Sequence, residues 1–308
     1  MKLSIVSTMY HSAAYVMEFC ERIAVQAEKI AGDEYEIILV NDGSPDHALD
    51  VALEAQSKNK KIRIVDLSRN FGHHPAILTG LGYATGAHVF LIDIDLEEPP
   101  EILSEFWDTF QNAKEVDVVG GVQMARLGDA QERYAGGLAW KFLQKLSSTE
   151  LPANLITARL MSQRYVQALM SYKDKEPFLA ALCSDIGFKQ MFIPVQKTDD
   201  STTTYTFKHK VKLMLNGITA FSTKPLMMSI VVALSLAGIT ALIGLYALFM
   251  GLFGNSVPGW ASTVLLVCAA TSIITFLQGM NALYVAHIFR EVKQRPLTIV
   301  RKVHDIED

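Results

Sequence analysis

The sequence has only three cysteines in 308 residues, Cys20, Cys183 and Cys268. They lie far apart and form no Cys-x-x-Cys pair, which excludes a disulfide or zinc framework and leaves reduced structural thiols. The eight histidines do not gather at ligand spacing; His73-His74 is the one adjacent pair, and neighbours in sequence rarely share one metal. No Gly-x-Gly-x-x-Gly follows the first apolar segment, which disfavours a dinucleotide-binding Rossmann site, and no Gly-x-x-x-x-Gly-Lys-Ser/Thr occurs, which excludes a P-loop. The segment Met1–Tyr15 lacks a long apolar stretch and a small-residue cleavage site, so no signal peptide is expected. A net charge of −4 gives no reason to expect nucleic-acid binding. The longest absence is of charge itself: from Pro225 to Phe289 there is no Asp, Glu, Lys or Arg.

That uncharged stretch far exceeds the roughly 20 apolar residues that span a bilayer. Met227–Phe253 and Trp260–Ile288 each suffice, and Gly254-Asn255-Ser256-Val257-Pro258-Gly259 between them reads as a turn. The expectation is a membrane hairpin; the competing reading is a pair of buried helices in a soluble core. Lys208, Lys210, Lys212 and Lys224 precede the first span, and Arg290, Lys293, Arg295, Arg301 and Lys302 follow the second. The positive-inside rule then puts both flanks in the cytoplasm and the loop outside. With two spans and no intramembrane charge, a transporter path is not expected. Gly238, Gly244 and Gly251 permit close helix approach within the membrane.

Half the residues are hydrophobic and 19% are charged, a balance that rules out a disordered chain. The first 125 residues alternate strand and helix patterns. Leu3–Ser7 reads as a buried strand, Ser12 as a helix cap, and Val16, Phe19, Cys20, Ile23, Ala27 and Ile30 as one apolar helix face. Strand Glu36–Val40, helix Asp46–Gln56, strand Ile62–Leu67, helix Pro75–Ala84 and strand His88–Ile92 follow. Pro99-Pro100 opens another helix, and Val116–Val122 is a strand. Such alternation predicts an α/β domain with a mostly parallel sheet and helices on both faces. Ligands of such sheets bind beyond the carboxyl ends of the strands.

Polar residues stand at those ends. Strand two runs into Asn41-Asp42-Gly43-Ser44, strand three into Arg69-Asn70-Phe71-Gly72-His73, and strand four into Asp93-Ile94-Asp95. In extended structure residues i and i+2 point the same way, so Asp93 and Asp95 can face one spot. Two carboxylates there suit Mg²⁺ or Mn²⁺, which share oxygen ligands with phosphates and can stabilise a nucleoside diphosphate as it leaves. The alternative is a solvated acidic turn, helped along by Glu97, Glu98 and Glu101.

These stretches, with Asp93-Ile94-Asp95-Leu96-Glu97-Glu98-Pro99-Pro100-Glu101, Asn216-Gly217-Ile218, Phe221-Ser222, Pro225-Leu226 and the tail Arg290–Pro296, resemble glycosyltransferase family 2. Within it they resemble the polyprenyl-phosphate (dolichyl-phosphate mannosyltransferase-like) group, over nearly the whole chain. The resemblance implies a glycosyltransferase A-type (Rossmann-like) cytoplasmic domain over residues 1–206. An amphipathic juxtamembrane helix would follow over 207–224, then the hairpin over 225–289 (about 227–253 and 260–288) and a cytoplasmic tail over 290–308. It implies that Asp42 contacts a nucleotide base, with Gly43 in its turn and Tyr10 beside it. Arg69 and the turn from Asn70 to Gly72 would line the nucleotide pocket. Asp93 and Asp95 would face the donor diphosphate, with Asp95 the more direct metal ligand. A homo-oligomer is implied too, since relatives form them, with a tetramer expected.

The acceptor side departs from the family pattern. Thr8-Met9-Tyr10-His11-Ser12 stands where relatives carry Pro-x-Tyr-Asn-Glu, and Gly121-Val122-Gln123 where they carry Gly-x-Arg, with Arg126 still present. Thr157-Ala158-Arg159-Leu160 replaces Asp-Phe-Arg-Leu, so the residue often proposed as base is Thr157, and Ser201–Tyr205 replaces a Gly-x-Ser-Lys-Tyr element. A polyprenyl phosphate is already ionised near neutral pH and needs no base; an alcohol acceptor would make Asp185 or Asp199 candidates. Arg126, Arg133 and Lys141 are candidate acceptor-phosphate contacts, with solvated surface charge as the plain alternative. Val211, Met214, Leu215, Ile218 and Phe221 share one helical face beside three lysines, a pattern that suits an anionic leaflet or packing on the domain.

The expected activity is inverting transfer of a sugar from a UDP- or GDP-sugar to polyprenyl phosphate, for envelope glycan or lipid modification. The expected location is the cytoplasmic face of a bacterial inner membrane, with a multi-pass anchor. The alternatives are a catalytically degenerate membrane scaffold or partner subunit, and a transferase acting on another lipid acceptor.

Overall fold

The structure, a computed structural model, describes residues 2–123, 154–175, 177, 179–196, 224–253 and 259–305. Of these, residues 2–123, 154–196 and 295–305 belong to one compact unit and 224–294 to a second.

The first unit is an eight-stranded mixed sheet. Its strands are β1 (Leu3–Met9), β2 (Tyr35–Asn41), β3 (Ile62–Leu67), β4 (His88–Leu91), β5 (Val118–Gln123), β6 (Leu155–Ser162), β7 (Gln190–Val195) and β8 (Val300–His304), in spatial order β7-β5-β6-β4-β1-β2-β3-β8. The helices are α1 (Val16–Ala31), α2 (Ala48–Lys58), α3 (His73–Tyr83), α4 (Ile102–Asn112), α5 (Gln163–Ser171) and α6 (Leu179–Asp185). β1 to β4 pair in parallel, as expected, with β1 between β2 and β4. β5 and β7 pair in parallel and share that direction, so six of the eight described strands run one way, as a mostly parallel sheet requires; two strands make it mixed. β6 runs antiparallel between β4 and β5, and β8 runs antiparallel to β3.

The strands read as unbroken apolar runs because both faces are covered. Odd positions of β1 and β2 (Leu3, Ile5, Met9; Tyr35, Ile37, Leu39) join the core that also holds Phe19 and Ile23 of α1 and Phe106 of α4. Even positions meet α3, which packs so closely that a Cβ on Gly80 would sit 2.6 Å from Val6 and 2.8 Å from Val40. The α1 face is the predicted one: Val16, Phe19, Cys20, Ile23 and Ala27 are buried. Each fully buried large side chain of this kind contributes roughly 1.5–3 kcal/mol. Ser12 does not cap α1. The helix starts later, its N-cap residue is Tyr15, and the Ser12 hydroxyl is buried while its carbonyl accepts from the Tyr15 amide at 2.9 Å. Cys20 and Cys183 are buried free thiols, and burial pushes Cys20 up to about 12.

The second unit contains α7 (Lys224–Phe253) and α8 (Trp260–Val292). Among the described residues Ala269–Val292 is long and apolar enough to cross a membrane, and Leu226–Thr240 is apolar but shorter. In chain order this unit is inserted between residues of the first, because β8 follows it and joins the sheet. The segment expected as a tail thus carries a strand. The proposed juxtamembrane helix and its apolar face lie outside the described residues.

Candidate active site

Three loops at the carboxyl ends of β1, β2 and β3 are stitched together by hydrogen bonds. After β1, Tyr10 is exposed and edge-on to His11, whose backbone is left-handed at φ 54°. The His11 amide donates to Ser44 Oγ at 2.7 Å, after β2. Ser44 Oγ donates in turn to Asp46, and Asp46 accepts from the amides of Ala13 (2.9 Å) and Ala48 (3.2 Å). Burial raises the Asp46 carboxyl, but these hydrogen bonds outweigh it and hold it below its ordinary value.

Asp42 ties the second loop to the third. It is 2% exposed; Oδ1 accepts from the Phe71 amide at 2.7 Å and Oδ2 from the Gly72 amide at 2.9 Å. Burial is the largest influence on this carboxyl and raises it, against those two amides and the nearby His73 and Arg69, which lower it. Gly43 allows the approach. Its φ is +62°, and an added Cβ would stand 2.5 Å from both the Arg69 carbonyl carbon and the Asn70 nitrogen. Any side chain here would part the two loops. Arg69 is exposed, stacks over the Phe71 ring at 4.0 Å and donates to the Asn70 carbonyl at 2.8 Å. Its guanidinium is therefore held at the surface of the loop with donors to spare. Gly72, at φ +104°, makes the turn into α3.

The fourth loop carries the acids. β4 ends at Leu91, so Asp93 lies beyond the strand and Asp95 lies in a turn followed by Leu96 at φ 60°. The extended-strand argument for a shared face therefore does not hold; the turn sets their directions. Asp95 is exposed and accepts from the Glu97 amide at 3.1 Å. Asp93 is one-quarter exposed and faces His73 Nε2 at 3.5 Å, while His73 Nδ1 meets Thr8 Oγ1 at 3.3 Å. His73 thus links the end of β1 to the acidic loop, a role its place beside His74 did not reveal. His74 is different: burial foremost, then the charges of His73 and Arg159, push it down to about 4, so it is neutral at pH 7.

Among the described residues no three His, Cys, Asp or Glu side chains form a metal cluster. The two aspartates suit an oxygen-seeking divalent ion that takes its remaining ligands from a diphosphate and water. Arg126, Arg133, Lys141 and Asp199 lie outside the described residues. Asp185 accepts from the Tyr172 hydroxyl at 3.0 Å. β4 and β6 pair as far as Leu91 and Arg159, and Thr157 lies in β6 beyond that last pair.

Residues 4–169 match the family described as glycosyl transferase family 2, and the chain belongs to it. It is 38% identical over 305 residues to a putative glycosyltransferase of Mycobacterium tuberculosis, covering 99% of this chain and 89% of that one. It is 27% identical over 308 residues to the SfII prophage-derived bactoprenol glucosyl transferase of Shigella flexneri, covering 99% of each. Among solved structures, glucosyl-3-phosphoglycerate synthase from Mycobacterium tuberculosis with Mg²⁺ and UDP aligns with a TM-score of 0.51 at 14% identity. The alignment covers 71% of this chain and 77% of that one. The fold is the glycosyltransferase A-type α/β mixed sheet, and the chain is a glycosyltransferase by family.

Proposed function

We propose that this family 2 enzyme transfers a sugar, with inversion, from a UDP- or GDP-sugar to a polyprenyl phosphate at the cytoplasmic face of a bacterial inner membrane. The observation that carries the donor half is the joined set of loops at the carboxyl ends of β1 to β4. Asp42 holds the Arg69–Gly72 turn by two amide bonds, and Asp93 and Asp95 stand on the neighbouring loop. Asp42 would serve the base site mainly through that turn, with Tyr10 and Arg69 offering exposed surfaces to the nucleotide.

Asp95, with Asp93, would hold Mg²⁺ or Mn²⁺, which supplies charge neutralisation for the departing diphosphate. His73 would keep Asp93 in place through Thr8, and Arg69 would add positive charge to the nucleotide's phosphates. The acceptor oxygen is anionic before it attacks, so catalysis rests on positioning and charge stabilisation, and the absence of an acid at Thr157 is no obstacle. Arg126, Arg133 and Lys141 remain the candidates to balance the lipid phosphate. Thr157 also favours a second reading, a degenerate membrane partner subunit that binds donor and turns nothing over.

The lipid half rests on the bactoprenol relative and on the second unit. α7 and α8 expose Leu234, Leu242, Leu245, Tyr246, Ile274 and Phe276, each by more than half, which suits lipid rather than water. Because β8 returns the chain to the sheet, an even number of crossings fits, and the two-span hairpin is the simplest. A tetramer is proposed from family resemblance. Detergent-purified protein incubated with Mn²⁺, a short polyprenyl phosphate and a panel of UDP- and GDP-sugars tests the proposal. Mass spectrometry should find a lipid-phosphate sugar that disappears with EDTA and in Asp95→Ala. Nucleotide binding without product across the panel would favour the partner-subunit reading.

A further inference from the structure

The strand that follows the hairpin segment reaches into the support of the donor loops. β8 pairs with β3 through Ile64–His304, Val65–Val303, Asp66–Lys302 and Leu67–Val300. Between the last two pairs the register skips one residue on β8, and the extra residue is Arg301. Bulges of this kind re-aim a side chain and are frequent beside active sites. Here Arg301 Nη1 donates to Asp66 Oδ2 at 3.3 Å and Nη2 to the Ser68 carbonyl at 2.7 Å.

Asp66 is 3% exposed, and its other oxygen accepts from Asn41 Nδ2 at 2.8 Å. Asn41, equally buried, uses its own oxygen to accept from the Ser44 amide at 3.1 Å. A continuous chain of bonds therefore runs from Arg301 through Asp66 and Asn41 into the turn that contains Asp42 and Gly43. A second branch reaches Ser68, the residue before Arg69. Just upstream, the Ser68 amide donates to the Ile299 carbonyl at 2.9 Å, and the hydroxyls of Thr79 and Thr298 lie 2.7 Å apart. A buried carboxylate with one amide donor is poorly compensated; the guanidinium supplies the missing charge.

We infer that Arg301 is a positioning residue for the nucleotide-sugar donor, acting through Asp66 and Asn41 on the Asn41–Ser44 turn and through Ser68 on the Arg69 loop. The inference rests on the donor reading above. It means that the donor site is completed only when the chain has passed through residues 224–292 and come back, which ties nucleotide binding to an intact membrane segment.

The test uses the full chain in detergent and measures the Kd for UDP and GDP, donor KM, kcat and the thermal midpoint. Arg301→Ala should raise Kd and donor KM about three- to tenfold and leave kcat within about twofold, as expected for losing one charge-assisted support. Arg301→Lys should recover part of the loss, because an ammonium can reach Asp66 but cannot fork to Ser68 as well. Gln56→Ala is the control. Gln56 Nε2 donates to the carbonyls of His304 (3.1 Å) and Asp305 (3.2 Å) and holds the other end of the same strand. It should lower the thermal midpoint without moving Kd. Wild-type Kd in Arg301→Ala, or equal Kd shifts in Arg301→Ala and Gln56→Ala, would overturn the inference while leaving the donor reading standing. A wild-type protein that binds neither nucleotide would overturn both.

Discussion

At the amino edge of the sheet, Glu36 is 1% exposed and fully engaged. It accepts from Ser4 Oγ at 2.6 Å, from the Thr85 hydroxyl and amide at 2.7 and 2.9 Å, and from Arg63 at 3.1 Å. Asp117, just before β5, is likewise buried and holds Arg164 and the Ser162 hydroxyl. At the carboxyl edge of the same sheet, Asp93 has His73 at 3.5 Å and Asp95 is exposed in its turn. A buried acid surrounded by donors serves the fold; a partly exposed acid at the carboxyl end of a sheet is open to a ligand. Asp42 stands between these cases, since it is buried like Glu36 yet spends its oxygens on shaping the turn from Arg69 to Gly72.

Substitutions at the two edges should therefore separate activity from stability. Asp95→Ala should lower turnover by about 10²- to 10⁴-fold, the loss of several kcal/mol of charge stabilisation, with the thermal midpoint nearly unchanged. Glu36→Gln should do the reverse, costing about 1–3 kcal/mol in chemical denaturation because Arg63 loses its buried partner and keeps only Asp305 and the Tyr83 carbonyl, while activity per folded molecule persists. Comparable activity losses per folded molecule in both variants would break the comparison.

Gly43→Ala should show an intermediate pattern. It forces a side chain into a left-handed position against the Arg69–Asn70 backbone. A stability loss of about 1–3 kcal/mol is expected, with a weakened donor Kd read by titration. A pH dependence of similar size, with no effect expected at pH 7, comes last. His74 titrates near 4 in the folded chain and near 6.5 unfolded, so below pH 6.5 the unfolded chain binds the extra proton. Stability should fall as pH drops through the window from 6.5 to 4, by about 2 kcal/mol at pH 5, and level off below. Denaturation at pH 7 and pH 5 checks this, and His74→Gln should flatten the difference.

Much of the carboxyl edge was legible in the sequence. The apolar runs of the sequence mark β1 to β5 to within about two residues, because strands covered on both faces leave unbroken apolar stretches that end in polar clusters. The placing of Asp42, Asp93 and Asp95 beyond the ends of β2 and β4 could be read from those clusters. The turn geometry of Asp95 could not, since nothing local tells a strand end from the turn after it. The far half of the sheet was harder to see. β7 contains Pro194, and β8 reads Val-Arg-Lys-Val-His, a charged edge strand that resembles a solvated tail until β3 offers its free edge. The Arg301–Asp66 bond spans 235 positions, and no local pattern carries such a link. Charge patterning did mark residues 225–289 as apolar, whereas the structure supports one helix of full spanning length among the described residues.

The central claim is that the acids at the carboxyl edge make a metal-assisted donor site. Calorimetric titration of UDP and GDP into the detergent-purified full chain, with Mg²⁺ and with EDTA, for wild type and Asp95→Ala, tests it most directly. The account predicts binding of one nucleotide that weakens at least tenfold without the metal, and an Asp95→Ala protein that binds weakly and no longer responds to Mg²⁺. Equal affinity in all four arms would contradict it.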